Sequence, residues 1–288
     1  MTDAMGTPEA SSHEAFSYEV FSYDTEGGPL AHLDTGGDLP PLVLLHGIFI
    51  DHRMWEDQIP VLARTHRVIA PDARGHGESS VARAPFRAAD DVAALLHHLG
   101  TGPAVLVGLS MGGGTAVDVA LEHPELVRAL VVSGIGTSEL EFSDPWVLAA
   151  TAEIERKFGE GDVAGGVEAF MRFTSGPHRT LDEVDPEVVR RLRDMAAHTA
   201  SKYTAAQPNP NHLAVPVTDT WTRAAKIGVP VLAINGSVDG PDNHKMAERL
   251  VRTVPDGRLR LVEGAAHYPN MERPDVFDAY LREFLRGL

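Results

Sequence analysis

Ala104-Val105-Leu106-Val107-Gly108-Leu109-Ser110-Met111-Gly112 is followed by Gly113-Gly114 and the run Thr115 to Glu122. The first four residues form a continuous apolar run, the pattern of a strand buried on both faces. The residues from Thr115 onward have the composition of a helix. Between them, glycines two positions either side of Ser110 let the backbone bend sharply, so the serine side chain stands exposed where strand becomes helix. A serine flanked in this way occurs by chance often enough that its partners elsewhere in the chain must carry the reading.

Working outward, the same alternation recurs on both sides. Phe16 to Val20 and Leu30 to Leu33 read as short strands joined by the turn-rich Asp24-Thr25-Glu26-Gly27-Gly28-Pro29. Leu42 to Leu45 is a second apolar run, Met54 to Ala63 is helical in pattern, and Arg67 to Ala70 is a strand ending at Pro71-Asp72. Ala88 to Leu99 is an amphipathic helix, Val105 to Val107 the strand before the serine, and Val127 to Val132 the strand after its helix. From 137 to 219 the rhythm breaks, with helix-like segments at Pro145 to Lys157, Gly165 to Thr174 and Pro186 to Ala200, and a loop at 207–211. Strand and helix then alternate again through Val231 to Ile234, Asn243 to Val251, Arg258 to Val262 and Val276 to Leu285. Such alternation means parallel strands with right-handed helical crossovers. The fold class is therefore α/β, with a mostly parallel eight-stranded sheet and helices on both faces. Residues 1–136 and 220–288 form one core, and 137–219 form a helical cap inserted above it.

Composition narrows the function. At 288 residues with 43% hydrophobic content, the chain has ample material for a buried core. It has no cysteine, which excludes disulfides, a thiol nucleophile and cysteine-ligated metal. A net charge of −16 argues against nucleic-acid binding, which needs basic surface. No run approaches the ~18 apolar residues of a membrane span, and the polar start Met1 to Ser12 lacks the features of a signal peptide. Cytoplasmic location and a small-molecule substrate are the expectation.

A serine hydroxyl needs a base within hydrogen-bond reach, and that base needs an orienting group. In an open parallel sheet the groups that can converge lie at the carboxyl ends of strands. Two such residues follow the last two strands: Asp239, after Val231 to Gly236, and His267, after Leu261 to Ala266. Asp242 is the alternative acid, though it also reads as the N-cap of the next helix. Glu139 and Glu141 lie too far past the preceding strand to serve. His97 and His98 are adjacent on a helix and point apart, so they make no metal site. Gly112-Gly113-Gly114 lacks the lysine of a phosphate loop. No metal and no cofactor are implied.

With these residues in place, the chain resembles the α/β-hydrolase fold family from about Phe16 to the C-terminus. The matching pieces are His46-Gly47, Asp72-Ala73-Arg74-Gly75-His76-Gly77-Glu78-Ser79, Gly108 to Gly112, Asn235-Gly236-Ser237-Val238-Asp239, and Gly264 to Glu272. The resemblance implies Ser110 as nucleophile, Asp239 as orienting acid and His267 as general base. It also implies an oxyanion hole from the backbone N–H groups of Ile48 and Met111. His46 itself reads as structural, holding the oxyanion loop, and His76, in its Gly-rich loop, as serving a turn. The implied reaction is hydrolysis of a carboxylic ester or lactone through an acyl-serine. The inserted aromatics Phe142, Trp146, Phe158, Phe170, Phe173 and Tyr203 could wall an apolar cavity, though most read as packing of the cap and only one or two should touch substrate. Phe49, Trp146, Phe170 and Phe173 are the candidates for those contacts.

Other chemistries share this machinery. A C–C bond hydrolase of meta-cleavage-type diketones usually carries a Gly-rich loop where this chain has Ile48-Phe49-Ile50-Asp51, and often an asparagine where Leu109 stands. Epoxide and haloalkane hydrolases use an aspartate nucleophile, against which Ser110 argues. Perhydrolase or haloperoxidase-like activity needs only the same residues, and a ligand-binding receptor that kept them is the non-enzymatic alternative.

Overall fold

The computed structural model describes residues 19–25, 27–203 and 211–288. In chain order the strands are β1 (Val20–Tyr23), β2 (Leu30–Asp34), β3 (Pro41–Leu45), β4 (Arg67–Pro71), β5 (Ala104–Leu109), β6 (Val127–Ser133), β7 (Val231–Gly236) and β8 (Gly257–Val262). They form one eight-stranded sheet in the order β1-β2-β4-β3-β5-β6-β7-β8. β1 and β2 pair antiparallel, as do β2 and β4, and every other pairing is parallel.

The helices of eight or more residues are α1 (Ala88–His98), α2 (Met111–Glu122), α3 (Pro145–Gly159), α4 (Val163–Phe170), α5 (Pro186–Ala200), α6 (Pro241–Thr253) and α7 (Pro274–Leu285). The apolar runs of β3 and β5 are explained by burial on both faces. On one face Leu42, Leu44, Val105 and Val107 pack with Trp55 and with Phe277 and Leu281 of α7. On the other, Val43, Leu45 and Leu106 pack with Val92, Leu95 and Leu96 of α1 and Val117 of α2. Each fully buried aliphatic chain contributes about 1.5–3 kcal/mol, and Ser110 follows directly from this buried sheet centre.

Two elements differ from the sequence reading. The first strand runs Val20–Tyr23, extending past the Val20 end of the reading, whose start at Phe16 lies outside the described residues. Its register is set by Tyr23 opposite Leu30, and the buried Tyr23 hydroxyl donates to the Asp91 carbonyl at 3.1 Å. The helix read at Met54 to Ala63 is two short turns, His52–Trp55 and Ile59–Leu62. Pro60 lacks the N–H that a continuous helix requires there, which accounts for the break.

Between β6 and β7 lie α3, α4, α5 and short helical turns. Asp-Pro pairs start two of these helices: Asp144 accepts from the Trp146 amide at 2.9 Å, and Asp185 from that of Glu187 at 2.8 Å. A bridge that the sequence did not reveal pairs Phe86 with Ala214 in parallel, holding the return toward β7 against the residues before α1. The loop read at 207–211 lies outside the described residues except for Asn211. Among the described residues no helix is long and apolar enough to cross a membrane.

One buried carboxyl makes stability depend on pH. Asp118 on α2 accepts from the Ser138 hydroxyl at 2.7 Å, and burial pushes its pKa up to about 7. A raised carboxyl pKa means the folded state holds the proton longer than the unfolded chain, so this contribution declines as pH rises from about 4 through 7. The shift sets an upper bound of about 4 kcal/mol on the effect. Asp118→Asn is expected to be more stable than the parent above pH 7 and to lose that advantage near pH 4. Denaturant midpoints at the two pH values would test this, and a difference independent of pH would count against it.

Candidate active site

Ser110 occupies the step between β5 and α2 with φ 53° and ψ −118°, a left-handed backbone that costs a non-glycine residue about 1–3 kcal/mol. The ladder holds it there, because the Ser110 amide donates to the Ser133 carbonyl at 2.8 Å. The flanking glycines are needed for close approach. A Cβ at Gly108 would fall on the Gly112 carbonyl, and one at Gly112 on the carbonyl of Leu45 at the end of β3.

Asp239 follows β7 and His267 follows β8, and both side chains are buried. Asp239 Oδ2 lies 2.9 Å from His267 Nδ1. The other carboxylate oxygen accepts from the Gly240 amide at 2.6 Å and from Asn243 Nδ2 at 2.9 Å. These bonds hold the carboxylate as an acceptor, so Nδ1 carries the imidazole proton and Nε2 is left as the basic nitrogen. Asn243, whose Nδ2 is also 3.2 Å from His267 Nδ1, was missed by the sequence reading. Its only signal is its place one helical turn after Asp239.

Asp242 is engaged elsewhere. It accepts from the amides of Ser143 and Asp144, each at 2.6 Å, and pairs with Lys245 at 3.0 Å. Burial would raise its pKa, but these donors hold it down at about 2. It lies in the first turn of α6, whose N-cap is Gly240, so Asp242 is neither that cap nor a partner of His267. Glu139 accepts from the amides of Asp219 and Thr220 and from the Thr220 hydroxyl, which in turn accepts from the Thr137 hydroxyl at 2.8 Å. The two ends of the inserted segment thus meet.

Gly134, at the end of β6, was also missed. Its φ is 68°, and a Cβ there would lie 2.6 Å from Cε1 and 2.9 Å from Nδ1 of His267. Gly134→Ala is expected to displace the imidazole and lower kcat by roughly 10²-fold, the usual consequence of about 1 Å of misplacement. Wild-type kcat in that variant would remove Gly134 from the site.

Ser110, His267, Ile48 and Met111 line one cavity of about 650 Å³. The Met111 amide opens α2, where a helix has no internal acceptor and its dipole favours an anion. Ile48 sits in the loop after β3, which bends at Phe49 with φ 63°. His46 braces that loop: its Nδ1 donates to the Gly47 carbonyl at 2.8 Å, and its Nε2 accepts from the Ala73 amide at 2.9 Å. Burial lowers the His46 pKa, consistent with this neutral form. His76 donates to the Arg74 carbonyl at 2.9 Å, and burial takes its pKa down to about 3.

The expected substrate contacts divide. Phe49, Phe170 and Phe173 line the cavity, as do Phe142 and Phe158. Phe49 stacks on Phe158 at 5.0 Å and meets Phe170 edge-on at 5.4 Å. Trp146 stands behind this wall, edge-on to Phe173 at 5.4 Å and beneath the Arg172 guanidinium. Tyr203 instead donates to the Gly75 carbonyl at 2.5 Å. Among the described residues one trio has metal-ligand types close together, Asp51, His52 and Asp72, within 4.8 Å. Arg53 already binds both oxygens of Asp51, at 2.8 and 2.6 Å, and Asp72 accepts from His52 at 2.9 Å and from the Glu78 amide at 2.8 Å. This donor set is committed to the protein's own cations and amides.

A serine on the turn from β5 into a helix, with an acid and a histidine after the last two strands of a mostly parallel sheet, defines a class of enzyme. Residues 40–274 match the model of the alpha/beta hydrolase fold, and the chain belongs to that family of hydrolases. It is 30% identical over 245 residues to 3-oxoadipate enol-lactonase 2 of Acinetobacter baylyi, covering 84% of this chain and 86% of that one. It is 29% identical to a pimeloyl-acyl-carrier-protein methyl ester esterase of Neisseria meningitidis, covering 85% and 92%. Among solved structures, carboxylesterase CesB of Bacillus subtilis superposes with a TM-score of 0.76 at 26% identity, covering 95% of this chain and 93% of that one.

Proposed function

We propose that this enzyme hydrolyses a carboxylic ester or lactone of a small, largely apolar substrate through an acyl-serine intermediate. Ser110 attacks the carbonyl while His267 Nε2 takes its proton, and Asp239 keeps the imidazole in the required tautomer. The Ile48 and Met111 amides stabilise the oxyanion, and loss of one such donor costs about 3 kcal/mol of transition-state stabilisation. The imidazolium then protonates the leaving alcohol, and the neutral base later activates the water that releases the acid. Residues 137–219 act as a cap whose phenylalanines wall the cavity and exclude water. The site is cytoplasmic and needs no metal or cofactor.

The observation that carries this reading is the 2.9 Å Asp239–His267 bond, buttressed by Gly240 and Asn243, at the edge of a cavity shared with Ser110. The lactonase and esterase activities of the relatives support the substrate class. A fluorophosphonate probe is expected to label one serine, Ser110, as located by peptide mass spectrometry. Cleavage rates on p-nitrophenyl esters, lactones and a meta-cleavage diketone would rank the bond types. No labelling, or turnover of the diketone alone, would reject the ester or lactone assignment.

A further inference from the structure

Arg179 lies in the inserted segment, yet its guanidinium reaches the loop that carries His267. Nη1 donates to the Gly264 carbonyl at 2.7 Å and pairs with Glu272 Oε2 at 2.9 Å. On its other side Nε donates to the Ser175 carbonyl at 3.0 Å and Nη2 to that of Thr174 at 3.4 Å. The guanidinium is thus fastened to its own segment and to the histidine loop together. Glu272 completes the link, since its Oε1 accepts from the amide of Ala266, the residue immediately before His267, at 2.7 Å.

The surroundings fit the same arrangement. Glu272 is largely buried, and burial pushes its pKa up while Arg179 opposes that rise. The Phe173 ring lies 5.8 Å from the His267 ring. Gly176, with φ 74°, presses so closely on the acid loop that a Cβ there would fall on the Val238 carbonyl, one residue before Asp239. Residues 173–179 are therefore wedged against both the acid loop and the histidine loop.

We propose that Arg179 is a positioning residue: acting through Glu272, it fixes the loop that places His267, so the base is seated by the inserted segment. This rests on the reading of His267 as general base. A charge-assisted bond to a buried carboxylate is strong while the carboxylate keeps its cation. Without Arg179 the carboxylate is left buried and unpaired, and it must protonate or move toward water. Movement toward water breaks the bond from the Ala266 amide, and protonation weakens it by removing the charge, so in either case the backbone of His267 is held less firmly. Arg179 does not itself line the cavity, so the main effect is expected on the chemical step and not on binding.

The test compares steady-state kinetics of a p-nitrophenyl ester for Arg179→Met, Arg179→Lys and Arg179→Met/Glu272→Gln. Arg179→Met is expected to lower kcat by roughly tenfold or more, with KM within about twofold, as for a displaced catalytic group. Arg179→Lys, which keeps a cation beside Glu272, is expected to recover most of that loss. The double variant is expected to recover part of it, since glutamine still accepts from Ala266 and leaves no unpaired charge. Unchanged kcat in Arg179→Met would overturn the proposal. So would a change in KM alone, or equal losses in Arg179→Lys and Arg179→Met. His267→Ala separates this from the underlying reading. If that variant still turns over, the base assignment is wrong; if it is inactive while Arg179→Met is unchanged, only the positioning role is wrong.

Discussion

Ser110→Ala is expected to lose ester turnover by roughly 10⁴–10⁶ in kcat, the range seen when a serine nucleophile is removed from such a site. The substitution deletes one oxygen and leaves the architecture in place. The Ser110 amide still donates to the Ser133 carbonyl, and Gly108 and Gly112 still provide the close approach that the turn requires. Alanine takes over a positive φ that serine already tolerates, so the melting temperature is expected to stay within a few degrees. Residual activity near the uncatalysed rate with an unchanged melt supports Ser110 as nucleophile. Wild-type turnover in the variant would end the acyl-serine reading. Loss of turnover together with a large fall in stability would show a structural role for the hydroxyl instead.

Asp239→Asn is expected to lower kcat by about 10⁴, because it inverts a hydrogen bond without removing a volume. In the native arrangement both carboxylate oxygens accept: one from Gly240 and Asn243, the other from His267 Nδ1. An asparagine has one acceptor oxygen. Two donors, Gly240 and Asn243, compete for it on one side, which leaves the amide NH₂ facing His267. The imidazole then carries its proton on Nε2 and offers Ser110 a donor where a base is needed. The loss should appear in kcat, with substrate binding nearly unchanged. A decrease of less than tenfold would show that Asp239 does not set the tautomer. Asp242 is a useful comparison, since its bonds to Ser143, Asp144 and Lys245 tie it to the base of the inserted segment.

Much of the fold is readable from local pattern because a strand buried on both faces must be apolar at every position. β3 and β5 announce themselves in this way, and the return to alternation after residue 230 announces β7 and β8. The chain order Ser110, Asp239, His267 is readable for a related reason, since parallel strands deliver their carboxyl ends to one edge of the sheet. Pro60 was the overlooked local signal in the segment read as one helix at Met54 to Ala63.

Period and composition determined the sheet, the serine's place at the end of β5 and the candidates to serve it, His267 with either Asp239 or Asp242. Tertiary structure alone decided that Gly134 makes room for the imidazole and that Trp146 stands behind Phe173 instead of in the cavity. It also decided that Arg179 reaches from the inserted segment to the histidine loop. The physical reason is distance along the chain. A periodic pattern records which face of an element is buried, but contacts between residues tens to more than a hundred positions apart depend on how loops cross, and no local repeat records that.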